Sequence, residues 1–98
     1  MGRLNPTTAA GYTDVIYAAD VALSTTAAAI SVARDGIDYI ILQNNDAAIT
    51  VLVGNATTQN IKILAAGSLL LPVRRIEKIY AKSASGTPSI SILALGNL

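Results

Sequence analysis

The chain has 98 residues, 52% of them hydrophobic and only 13% charged, with a net charge of +1 and neither histidine nor cysteine. That length supports one core, and the missing residue types exclude a disulfide scaffold, thiol chemistry, cysteine-ligated metal and any Ser-His-Asp arrangement. Seven basic residues are scattered from Arg3 to Lys82, with only Arg74 and Arg75 adjacent, so there is no electrostatic footprint for nucleic acid.

Residues 1 to 12, including Pro6 and Tyr12, have no sustained periodicity and read as an extended N-terminal arm that grips a neighbour or frays. They carry neither the apolar core of a signal peptide nor, anywhere in the chain, a run long enough to span a bilayer. Residues 13 to 98 read as a single antiparallel β-sandwich domain of about eight short strands. The strands are expected near 14–19, 28–34, 37–44, 47–53, 60–64, 68–73, 76–83 and 88–95. Between them lie Asp35-Gly36, Asn44-Asn45-Asp46, Gly54-Asn55, Ala66-Gly67, Arg74-Arg75 and Ser85-Gly86, residue types that tolerate tight turns.

Alanine enrichment over 18–33 competes with this reading. A short helical turn near 19–25 is allowed, while Ile30, Ser31 and Val32 argue for strand over 28–34. Asp35-Gly36 reads as a hairpin turn, and residues 76–95 read as a second hairpin in which Ile76–Lys82 and Ser89–Leu95 flank a small-residue turn.

Alternation places Ile61 and Ile63 opposite Lys62, and Ile90 and Ile92 opposite Ser89 and Ser91, as in strands with one buried face. The segments YIILQ, TVLVG and SLLLPV are apolar on both faces. They are either central strands covered twice or strands whose outer face meets another subunit. Together with a charged fraction about half the usual ~25%, this predicts self-association.

Reactive chemistry is sparse. Asp35 and Asp38 are the only closely spaced carboxylates and are better explained by a turn than by a glycosidase pair. Asn44-Asn45-Asp46 lacks the acidic spacing of a calcium loop, and Asn55-Ala56-Thr57 matches a glycosylation pattern that a threonine-rich chain meets by chance. The tyrosines, Tyr12, Tyr17, Tyr39 and Tyr80, are not interleaved with basic residues and read as core or interface. No catalytic residue, metal ligand or cofactor is expected.

The segments IILQNND (40–46), ITVLVGN (49–55), IKILAAGSLLLPV (61–73) and KIYAKSASGTPSISIL (78–93) together resemble small jelly-roll-like head proteins of bacteriophages, the decoration or cement proteins. The likeness covers residues 37–95. It implies a virion structural protein that assembles in the host cytoplasm, forms a homotrimer and binds the major capsid protein on the capsid surface, without nucleic acid or membrane as partner. The alternatives are a tail, fibre or baseplate accessory protein and a carbohydrate-binding sandwich, the latter short of aromatic rings. Contact residues expected on this reading are Arg74 and Arg75, suited to bidentate contact with carboxylates, with Tyr80, Pro6 and Tyr12.

Overall fold

The computed structural model describes residues 14–97. Eight strands occur in chain order: β1 (Asp14–Ala22), β2 (Ala28–Ala29), β3 (Ile37–Asn44), β4 (Val51–Gly54), β5 (Gln59–Ile63), β6 (Ser68–Leu71), β7 (Tyr80–Ser83) and β8 (Ser89–Gly96). They form two four-stranded antiparallel sheets, β1-β8-β3-β6 (sheet A) and β2-β7-β4-β5 (sheet B). Among these strands only β4 and β5 are joined as a hairpin; every other connection crosses from one sheet to the other. This is the winding of a jelly roll, so the expected all-β sandwich is present.

The core lies between the sheets because period-2 alternation sends one side of each strand inward. Ile40, Leu42, Ile90, Ile92 and Ala94 come from sheet A; Val51, Val53, Ile63 and Ala81 come from sheet B. Leu23, Ile30, Ile37, Ile76 and Ile79 close the ends and edges. The predicted burial of Ile90 and Ile92 against outward Ser89 and Ser91 is observed.

Several sequence expectations are corrected. No helix forms over 19–25: β1 continues to Ala22, Leu23 N–H donates to Pro88 O at 2.8 Å, and Ser24 Oγ accepts from Thr26 N–H at 3.1 Å, a local turn that competes with helix. The strand expected over 28–34 shrinks to two residues, since the chain must leave sheet B to enter β3. The strand expected at 47–53 begins at Val51, because Asp46 Oδ1 accepts N–H bonds from Ala48 and Ile49 at 2.8 and 2.9 Å and holds those residues in a turn. Ile76–Lys78 is one turn of 3-10 helix, with Ile79 N–H on Ile76 O at 3.1 Å, rather than the start of a strand.

Neither Asp35-Gly36 nor residues 83–88 closes a hairpin. β2 and β7 belong to sheet B while β3 and β8 belong to sheet A, so both segments carry the chain across the sandwich. Sheets pack roughly 10 Å apart, a gap that a two-residue hairpin loop does not span but that residues 30–36 and 84–88 do. Gly36 takes φ 82, and Asn97 N–H donates to its carbonyl at 2.9 Å, pinning the end of β8 to the start of β3.

Candidate interaction surfaces

Three surfaces stand out. The first is a cleft of about 560 Å³ at the end of the sandwich where β3 starts and β8 finishes, lined by Arg34, Arg74 and Arg75 and by Asp35, Asp38 and Glu77. Local structure fixes some of these groups. The Arg34 guanidinium carbon lies 3.5 Å from the centroid of the Tyr17 ring, a cation–π contact, and its Nε donates to Ser31 Oγ at 3.1 Å. Arg75 Nε donates to Glu77 Oε2 at 3.2 Å, and Asn97 Nδ2 donates to Asp38 Oδ2 at 3.3 Å. Arg74 makes no ion pair among the described residues.

Glu77 is held below the ordinary carboxylate value chiefly by a backbone N–H bond at its own residue; burial opposes this, and Arg75 and Lys78 add to the lowering. A glycosidic general acid requires the opposite shift. Among the described residues no group of three or more acidic, histidine or cysteine side chains converges as a metal site, and Asp46, the acidic member of the Asn44-Asn45-Asp46 turn, spends its Oδ1 on backbone N–H groups. Asn55 does the same for Thr57 and Thr58 at 2.9 and 2.8 Å, shaping the β4–β5 hairpin.

The second surface is the exterior of sheet A. Cross-strand partners share a face, so register defines its rows. Val15, Leu95 and Tyr39 form one row, and Ala18, Leu93, Ile41 and Leu70 form the next. Below them the face turns polar: Ser91 Oγ donates to Asp20 Oδ1, and Asn45 Nδ2 donates to Ser89 Oγ at 3.1 Å and Ser91 Oγ at 2.9 Å. No described element covers the apolar rows; Val15 is 57% exposed and Leu70 60%. Of the two readings open for the doubly apolar segments, burial on both sides therefore does not hold within the described chain.

The third surface is an apolar groove of about 430 Å³ along the open side of the sandwich, between edge strands β5 and β6. It is lined by Val53, Ile61, Leu69, Leu71, Val73 and Ile79. Ile61 pairs with Val53 and faces inward, yet it is 51% exposed while Val53 is 3% exposed, because nothing described on that edge closes over it.

Of the contact residues expected from sequence, the structure brings Arg74 and Arg75 together in the cleft. It places Tyr80 elsewhere, half-buried in β7 between Ala29 and Gly54 and alternating with inward Ala81, hence on the outer face of sheet B. Pro6 and Tyr12 lie outside the described residues. Sequence reasoning missed the groove; its only signal was the absence of charge from SLLL in an otherwise punctuated chain.

No family model matches this chain, and comparisons with curated proteins and with solved structures yield no match. No helix among the described residues is long and apolar enough to cross a membrane.

Proposed function

We propose that the chain is a structural protein of a bacteriophage virion, a decoration or cement protein that binds the major capsid protein on the assembled head and stabilises it. The observation that carries this reading is the uncovered, uncharged apolar half of sheet A on a jelly-roll scaffold, from Val15 across Leu93 and Ile41 to Leu70. Such a face gains free energy only by being covered, and its neighbouring arginine-bearing cleft adds directional contacts for carboxylates. The sequence likeness to phage head proteins supplies the partner and, with the apolar surplus of the chain, the stoichiometry proposed here, a homotrimer. Attachment through several copies at once lets weak single contacts give firm binding.

Particles depleted of the protein should assemble but release their genome at lower temperature or milder osmotic shock, and purified protein added back should restore robustness, with or without chelator. If depleted particles are as robust as intact ones but fail to adsorb to host cells, the cement reading is replaced by the tail or receptor-binding one. Light scattering in dilute buffer reads the stoichiometry; a monomer at every concentration would remove the self-association argument.

A further inference from the structure

Sheet edges are where chains join, and proteins that keep them free protect them with charge, bulges or brevity. Three of the four edges here are protected. β1 carries Asp14 and Asp20 and a bulge between Val15 and Tyr17; β2 is two residues long; β5 carries exposed Lys62 and an irregular register at its end. β6 reads Ser-Leu-Leu-Leu, with no charge and no bulge, and its register against β3 is regular from Ser68 to Leu71. Leu70 projects outward at 60% exposure, while Leu69 and Leu71 line the open groove beside half-exposed Ile61.

We propose that β6 is a contact between two copies of this chain, paired antiparallel about a two-fold axis at Leu70, so that sheet A continues from one copy into the other. The pairing is self-complementary. Leu70 meets the partner's Leu70, Leu69 meets the partner's Leu71, and the two grooves face each other, covering Ile61 from both sides. Charge fixes the direction. Arg74 lies four residues after Leu70, and Ala66, whose N–H donates to Asp46 O at 2.9 Å, lies four residues before it. Antiparallel pairing therefore brings the Arg74-Arg75 end of each copy to the Asp46 end of the other. A parallel arrangement, including three-fold convergence of this edge, would gather arginines with arginines. The contact runs along the edge of β6, and because Leu70 also lies on the exterior of sheet A, a trimer held through that face would fall to a third of its mass in the Leu70 variants where this pair falls to half.

The chain contains no cysteine, so a single introduced thiol reports the axis directly. Leu70→Cys should form a disulfide-linked pair under mild oxidant, whereas Thr57→Cys, in the exposed β4–β5 loop, should not. Leu70→Lys should halve the sedimenting mass of the full chain, with circular dichroism unchanged. Arg74→Glu with Arg75→Glu should weaken the same association by about tenfold or more, most clearly at low salt. Leu70→Ser, which adds no charge, is the second variant should Leu70→Lys fold poorly, and it should also halve the mass. The proposal is overturned if the parent chain is monomeric at high concentration, if the Leu70 variants leave the mass unchanged, or if Thr57→Cys cross-links as readily as Leu70→Cys.

Discussion

The side-chain amide of Asn44, at the end of β3, donates to the backbone carbonyl of Ile63, at the end of β5, across 3.0 Å, and so ties sheet A to sheet B at one end of the core. The same Nδ2 reaches Ile49 O at 2.7 Å and Leu64 O at 3.3 Å, two hydrogens shared among three carbonyls, while Oδ1 accepts Asp46 N–H at 3.0 Å. Asn44 is fully buried, so removing its amide strands the buried Ile63 carbonyl and leaves the part-buried Ile49 and Leu64 carbonyls short of a donor. Asn44→Ala is expected to cost about 2–4 kcal/mol in urea denaturation. Asn44→Leu should fare no better despite filling the space, since the lost partners and not the volume carry the effect; an Asn44→Leu protein as stable as the parent would contradict this.

The Asp46 carboxylate is stabilised by the N–H groups of Ala48 and then Ile49, which lower its pKa from the ordinary 3.8. A lowered folded-state value means a contribution to stability that is fully present above 3.8 and lost as pH falls through the lower value. Asp46→Asn, which keeps an acceptor oxygen but does not titrate, should flatten this part of the acid limb. The difference in melting temperature between the two proteins should hold from neutral pH down towards 3.8 and shrink only at lower pH; an offset that stays constant through the acid limb would refute the assignment.

A Cβ at Gly96 would collide with the carbonyl of Gly36, the acceptor for Asn97, and both sides of that contact are backbone with no side chain to move away. Gly96→Ala should therefore destabilise by about 2–4 kcal/mol. The effect reads out as a lower urea midpoint at unchanged slope. Gly86, although it has φ 63, faces only the tip of the Ile49 side chain, so there the backbone strain of about 1–2 kcal/mol sets the cost of substitution.

Arg74→Ser with Arg75→Ser should leave thermal stability close to the parent's, because the Arg75 side chain is 70% exposed and its pairing with Glu77 is screened by solvent. On the proposed function the same double variant binds particles more weakly, and its binding depends less on salt. Equal attachment of variant and parent at low salt would separate the cleft from any docking role.

The strands were legible because burial on one face leaves a period of two, as in β8, where isoleucines alternate with serines. Their pairing was not. Asp35-Gly36 and Ser85-Gly86 announce that the chain turns, and the chemistry of a turn is local; whether the next strand joins the same sheet or the opposite one depends on partners far along the chain. Asn44 was hidden for a related reason. Beside Asn45 and Asp46 it looks like loop surface, yet its side chain is buried, with Oδ1 accepting from Asp46 N–H in the turn and Nδ2 reaching across to sheet B. Of the interaction surfaces, the Arg74-Arg75 pair was visible as charge in a connection. The groove needed β5 and β6 to be placed at facing edges of different sheets before inward-facing Ile61 could be recognised as exposed.

Among the described strands β1 has a single partner, β8, although most of the described chain lies between them. On the ribosome, β1 therefore emerges into solvent with nothing to pair with, and sheet A cannot close until β8 slots between β1 and β3. A fold of this high contact order matures late and nearly all at once. Nascent chains stalled before Ser89 should bind chaperones and yield to protease along their whole length, and release of the final strand should convert them to the resistant form in one step.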